Sequence, residues 1–255
     1  MDPFEQSDLI VDLDHVPVVT QWLSGRKIGF AEVERHETLR LALLRLPGAE
    51  CPLWLESTIA ELRDAFMFQH AGWTPLVGKN RTLAPVPSGF ERGGSAGAGE
   101  GVRVGVIGPG EAAIRALAPR AEVRSAPVTT AWQAATALAG FAADLLYAAV
   151  TCTPYDGQPP LVLQRAVDVL SPRAVIVAPA GAQTGYPAAC AGVVTVGVPG
   201  QEAPPWLNCF ADGGAATVAG LIAAGTVPGS VSPREAFEKL LAGGDPMVRR
   251  YLPPG

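Results

Sequence analysis

Hydrophobic and polar positions along the chain change character near residue 100. Between Ala174 and Gly200 stand two short, continuous apolar runs, Ala174 to Ala178 and Val193 to Val198, separated by Gly, Pro and small polar residues. β-Branched runs of that length fit strands buried on both faces, as in a parallel sheet covered by helices. The loop between them falls where such sheets hold ligands, outside the carboxyl ends of the strands. Upstream, Val102 to Ile107 predicts a strand ending in Gly108-Pro109-Gly110, followed by a helical pattern over Glu111 to Leu117. Further elements are a short strand near Ala121 to Val128, a helix from Thr130 to about Gly140, a strand at Leu145 to Val150 and a helix at Leu161 to Leu170. Gly213 to Ala224 is apolar and rich in small residues, suiting a closely packed interior helix. Ser232-Pro233-Arg234-Glu235 carries an N-cap, a first-position proline and a glutamate at the third position, and Gly243-Gly244 closes that last helix. Strands alternating with helices, without hairpin signals, predict an α/β unit with a mostly parallel sheet covered on both faces.

The first 83 residues read as a separate, small, mainly helical domain. Glu32 to Leu46 places Val33, Leu39, Leu43 and Leu46 near one face and stops at Pro47-Gly48. Leu53 to His70 carries the stripe Leu55, Ile59, Leu62, Phe66 and stops at Gly72. Leu9 to Leu23 is apolar but interrupted by Pro17. Trp54, Phe66, Phe68 and Trp73 are expected to be core aromatics. Ala84 to Gly101, with Pro85, Pro87 and a Gly/Ala/Ser run, reads as a linker that cannot order itself. The expected division is therefore 1–83, linker 84–101, and 102–255.

Charge and composition narrow the partners. Residues 1–100 hold 14 acidic against 9 basic side chains and residues 101–255 hold 10 of each, so neither part offers the basic footprint that nucleic acid requires. Cys51, Cys152, Cys190 and Cys209 are far apart, without a C-x-x-C pair, and read as buried free thiols rather than metal ligands. An acidic N-terminus and the lack of a membrane-length apolar run predict a soluble, cytoplasmic chain.

The segments from 102 to 243 resemble the subtilisin-like serine proteases, the subtilases. Val102 to Gly110 resembles the family's V-x-V-x-V-I-D-T-G strand and turn. Ala134 to Gly140 is similar to H-G-T-x-V-A-G. Val175 to Ala182, Tyr186-Pro187-Ala188 and Val193 to Val198 look like V-V-V-A-A-A-G-N, Y-P-A and V-x-x-V-G-A. Phe210 to Gly220 resembles the nucleophile helix G-T-S-M-A-x-P-x-V-A-G, and Ser232 to Ala242 resembles the closing helix. Carried over residue by residue, the resemblance puts Gly108 at the aspartate position, Ala134 at the histidine position, Ala182 at the oxyanion-hole asparagine, and Asp212 at the serine. The chain is shorter than the family between Gly140 and Ala174 and between Gly197 and Val218.

Acyl transfer of this kind needs a serine beside a base, a group orienting that base, and oxyanion donors. His15, His36 and His70 all precede residue 84, and Lys239 is the one lysine after residue 101. An Asp156–Asp212 carboxyl pair is the remaining catalytic candidate. No catalytic residue, metal or cofactor is assigned. The expectation is a catalytically degenerate subtilase, a pseudoprotease binding a peptide or protein as an accessory subunit. Its partner would be an active subtilase or a peptide-modifying enzyme in processing a ribosomally made peptide. Strand addition to a sheet edge would suffice for binding. The alternative is a nucleotide or dinucleotide site, because Gly108-Pro109-Gly110-Glu111-Ala112-Ala113 fits G-x-G-x-x-A, with Gly108, Gly110 and Ala113 as its small residues. Against it, Arg124-Ser125 stands where an acidic residue belongs, and Glu111 repels phosphate.

Overall fold

The computed structural model describes residues 7–47, 53–87, 94–153, 158–181 and 185–252. The chain opens with β1 (Asp8–Asp12), a 3-10 turn (Leu13–His15), α1 (Val16–Gly25), β2 (Ala31–His36), β3 (Leu41–Arg45), α2 (Trp54–Gln69) and β4 (Val77–Lys79). These form an antiparallel sheet in the order β2-β3-β1-β4, the β-α-β-β-α-β arrangement of ferredoxin-like units.

This part is therefore not mainly helical, and the helix expected over Glu32 to Leu46 is the hairpin β2–β3. The physical reason lies in burial. Leu41 and Leu43 pack into one cluster, while Leu44 and Leu46 pack into another on the opposite face. A strand buried on both faces loses the polar alternation that would mark it, and Leu39, Leu43 and Leu46 then mimic helical spacing. Pro17 does not interrupt a helix either. It occupies the first turn of α1, where its missing N–H costs nothing. α2 matches expectation, burying Leu55, Ile59, Leu62 and Phe66. Of the aromatics expected in the core, Phe66 is buried and Trp54 packs partly, but Phe68 is 82% exposed and Trp73, in edge contact with Phe66, is 41% exposed.

β5 (Ala84–Pro85) leads into β6 (Arg103–Ile107), α3 (Glu111–Leu117), β7 (Glu122–Ala126), α4 (Ala131–Gly140), β8 (Leu145–Ala148) and β9 (Val150–Thr151). There follow α5 (Leu161–Leu170), β10 (Val175–Pro179), β11 (Val193–Gly197), β12 (Cys209–Ala211), α6 (Gly214–Gly225), α7 (Pro233–Lys239) and β13 (Val248–Arg250). Seven strands pair in the order β13-β12-β11-β10-β8-β6-β7, all parallel except β13. The expected doubly covered, mostly parallel sheet is present. β8 and β10 show how it is covered: Leu145, Tyr147, Val175 and Val177 face α3 and α6, while Leu146, Ala148, Ile176 and Ala178 face α4 and α5.

α4 and α5 are also the floor of the first sheet. Ile10, Leu39, Leu41 and Leu43 share one cluster with Trp132, Leu138, Leu163 and Val167. Polar ties reinforce the contact. Trp132 donates from Nε1 to Glu34 at 2.7 Å and from its backbone to Asn80 Oδ1 at 3.0 Å, and Arg165 donates to Asp12 Oδ2 at 2.6 Å. The segment expected as a linker is docked where it is described: β5 pairs with β9, and Gly94 donates to the Ala116 carbonyl at 2.7 Å. Backbone hydrogen bonds supply the order that its composition could not. Cys152, Cys190 and Cys209 are buried free thiols, as expected, and burial pushes them up to about 11, 12 and 12 respectively. Cys51 lies outside the described residues.

The Asp12–Arg165 pair generates a prediction. Burial acts to raise the Asp12 carboxyl, but hydrogen bonds from Arg165 and the Asp14 N–H outweigh it, so the net pKa is lowered. With the Asp12 side chain 7% exposed and Arg165 21% exposed, Arg165→Ala leaves a nearly buried carboxylate without its main donor. The expected cost is about 1–3 kcal/mol in urea unfolding at pH 7. Because the folded pKa is depressed, the gap between wild type and variant is full above the unfolded value of about 3.9. It closes as pH falls through the folded value.

Candidate functional site

From β6 the chain passes through α3 to β7 on one side, and from β7 it crosses back through α4 to β8 on the other side of β6. Numbered in chain order and read from β7, the six parallel strands run 2-1-3-4-5-6, with the antiparallel β13 last, and the switch point lies between β6 and β8. At the carboxyl ends of those strands is an open cavity of about 590 Å³, lined by Leu83, Pro85, Gly108, Glu111, Val128 and Val150 among others.

Gly108 stands at the mouth of this cavity with φ +81. A Cβ on it would lie 2.5 Å from the Ala149 carbonyl oxygen, so close packing against the neighbouring strand accounts for the glycine. Gly110 caps α3 at φ 129, and Ala113 is buried in the helix–sheet core. Glu111 occupies the first position of α3, where Arg115 donates to its carboxylate at 2.7 Å. Hydrogen bonds from Ser125 and Arg115 hold that carboxyl below its usual range. An anionic side chain thus stands where pyrophosphate would have to approach, and α3 has only seven residues. The glycine turn is explained by strand packing, and a dinucleotide site is not favoured.

The chain itself crosses the rim of this cleft. The Arg81 carbonyl accepts from Ala131 N at 2.7 Å, Leu83 N donates to the Thr129 carbonyl at 2.8 Å, and Val86 N donates to the Ala149 carbonyl at 2.9 Å. Ala84 and Pro85 pair with Thr151 and Val150 in antiparallel register. The edge that β9 would offer to an incoming strand is filled from within. This crossing was invisible in the sequence, although Ala84-Pro85-Val86-Pro87 carries one available signal, since residues before proline favour extended backbone.

Ala134 lies in the first turns of α4, after the Thr130/Gln133 capping box, and is fully buried among apolar neighbours. Asp212 is exposed between β12 and α6, its backbone N–H donating to the Met247 carbonyl at 3.0 Å. α6 begins on Gly213 and Gly214, both at positive φ, without a side-chain cap. Ala182 and Asp156 lie outside the described residues, so the oxyanion position and the Asp156–Asp212 pair are not placed.

The three histidines all stand in the first unit. His15 Nδ1 accepts from Leu76 N at 2.9 Å, His36 Nδ1 accepts from Leu39 N at 3.3 Å, and His70 stacks on Phe66 with ring centroids 5.5 Å apart. Each is fixed by neighbours there. Among the described residues, no group of three His, Cys, Asp or Glu side chains could hold a metal, and no helix is long and apolar enough to cross a membrane.

No protein-family model matches the sequence, and no curated protein matches it. Among solved structures, the chain is similar to fervidolysin from Fervidobacterium pennivorans, described as a keratinolytic enzyme related to subtilisin. The TM-score is 0.59 at 11% identity, over 86% of this chain and 54% of that one. The epidermin leader peptide processing serine protease EpiP from Staphylococcus aureus gives a TM-score of 0.42 at 10% identity, over 75% of this chain and 69% of that one. The chain thus spans about half the length of fervidolysin. At such identities the likeness concerns architecture alone, and the architecture is a subtilisin-like fold.

Gly108 supplies a direct check on the rim. Gly108→Ala forces a left-handed backbone on a residue with a Cβ and drives that atom into the Ala149 carbonyl. A loss of about 2 kcal/mol is expected, read as a fall of about 4–8 °C in melting temperature. Gly25→Ala at the end of α1, with nothing within 4 Å of its added methyl, is expected to leave the melting temperature unchanged or raise it slightly.

Proposed function

We propose that this chain is a non-catalytic, subtilisin-like protein of the cytoplasm that acts by binding a peptide or protein partner. In this role it is an accessory subunit to an active subtilase or a peptide-modifying enzyme, in the maturation of a ribosomally made peptide.

One observation carries the reading. The resemblance assigns proton-transfer groups to rim positions occupied here by Gly108, by the buried methyl of Ala134, and by the exposed carboxylate of Asp212, while all three imidazoles are engaged in the first unit. Serine nucleophiles in water are weak without an adjacent base. A carboxylate in place of the nucleophile would further oppose a developing oxyanion by like charge. What such a scaffold retains is surface: two sheets with edges, grooves between helices, and backbone donors and acceptors able to receive an extended chain. Three unpaired, buried thiols suit a reducing compartment.

Two measurements test this. Incubation with a fluorophosphonate probe is expected to leave the protein unlabelled under conditions that label subtilisin to completion; labelling at any serine overturns the non-catalytic role. Pull-down of the tagged full chain from its native host, analysed by mass spectrometry, is expected to recover a peptide or protein in near-stoichiometric amount. An empty pull-down overturns the binding role.

A further inference from the structure

The antiparallel sheet has two edges, and they are built differently. β2 is exposed along its length, carries Glu32, Glu34 and Arg35, and has a register shift between Glu32 and Glu34. Charge and irregularity are the usual guards against further pairing. β4, at the other edge, is a regular three-residue strand, Val77-Gly78-Lys79, paired to β1 alone.

Register fixes what β4 offers outward. Asn80 N donates to the Asp8 carbonyl and Asp12 N donates to the Leu76 carbonyl, so the hydrogen-bonded pairs with β1 fall at Asn80, Gly78 and Leu76. In an antiparallel ladder the residues between them turn both backbone groups away from the partner. The N–H and carbonyl groups of Val77 and Lys79 therefore point off the sheet. The Val77 carbonyl confirms this, accepting from Arg63 Nη2 at 2.9 Å across the edge. Among the described residues, the Val77 and Lys79 N–H groups have no acceptor.

This edge is the floor of a slot rather than an open flank. α2 lies along one side and the start of α5 along the other, enclosing a cavity of about 560 Å³. Ile59 and Ala60 form one wall, and Pro160 and Leu161 form the other. Gly78 brings β4 hard against α5, since a Cβ there would lie 3.2 Å from Leu161 Cβ. Among the described residues, Arg63, Lys79 and Arg81 line the slot with one carboxylate, Glu56, whose Oε1 accepts from Lys79 Nζ at 2.6 Å. Glu56 Oε2 is buried there without a donor among the described residues.

We propose that the β4 edge between α2 and α5 binds an extended peptide segment bearing an acidic side chain, which adds as a fifth strand to the antiparallel sheet. The strand's backbone takes the Val77 and Lys79 N–H groups and returns an N–H to the Lys79 carbonyl. Side chains on its two faces enter the apolar walls of α2 and α5. The excess of guanidinium and ammonium groups selects a carboxylate over an ammonium at the centre of the segment. This shares with the proposed function only the class of partner, a peptide, and places it away from the cleft at β6 and β8.

The test uses the full chain and a fluorescein-labelled hexapeptide, Thr-Val-Glu-Val-Thr-Val, beside a version with Lys in place of Glu. Anisotropy titration is expected to show the glutamate peptide binding about tenfold more tightly or better. Amide hydrogen exchange is expected to slow at Val77 and Lys79 on peptide addition, with Gly78, already bonded to β1, unchanged. Ala60→Trp, on the exposed side of α2, fills the slot and is expected to abolish binding; Arg81→Glu, which leaves two cations against two carboxylates, is expected to abolish the charge preference. Equal affinities for the two peptides, no binding, or exchange protection elsewhere, such as at Val86, overturns the groove. The exchange measurement on unsubstituted protein decides the matter even if a variant fails to fold. The proposed function falls by other signs, a labelled serine or an empty pull-down, so the two failures are distinguishable.

Discussion

Everything in this fold depends on one layer of helices having to satisfy two sheets. α4 and α5 cover the lower face of the parallel sheet through Leu146, Ala148 and Ile176, and on their other side they receive Ile10, Leu41 and Leu43 of the antiparallel sheet. An amphipathic surface helix buries one stripe; a helix between two sheets must be apolar on two, and α4, Ala-Trp-Gln-Ala-Ala-Thr-Ala-Leu-Ala-Gly, is built mostly of small residues. Trp132 is its aromatic anchor, packed with Leu138 in the shared core while its Nε1 reaches Glu34. The polar side of the contact is carried by Asp12 and Arg165, where a carboxylate at the end of β1 meets a guanidinium on α5. Such a pair contributes little net stability when intact but is costly to break.

That layering explains what could be read from the sequence. The parallel sheet was legible because Ala174 to Ala178 and Val193 to Val198 are continuous apolar runs, and its helices carry clear stops and caps such as Ser232–Glu235. The antiparallel sheet was not, because β1 and β3 are covered by α1 and α2 on one face and by α4 and α5 on the other. Their burial is continuous and their alternation hidden. Leu39, Leu43 and Leu46, four and three residues apart, then resembled a helical stripe. β12 and β13, three residues each, are too short to leave a period. Phe68 shows the converse error, an aromatic near helical spacing that nonetheless faces water.

The candidate site was legible only through resemblance. Gly108 and Ala134 have local structural explanations: a strand packed too closely for a Cβ, and a helix start buried under apolar neighbours. The segment across the cleft at residues 81–86 depends on partners near residues 129, 131 and 149 and leaves no local pattern. The β4 groove likewise joins α2 to α5, elements about a hundred positions apart, and its outward N–H groups follow from register, which no run of residues displays.

Binding and cleavage of peptides can be separated in one vessel. The most direct measurement is to incubate the purified chain with a proteome-derived peptide mixture, pass it through gel filtration, and read both fractions by mass spectrometry. The result expected is a mixture with no new termini relative to a protein-free control and a restricted set of acidic, extended peptides eluting with the protein. New termini generated by the chain, or a protein fraction free of peptide, would contradict the account.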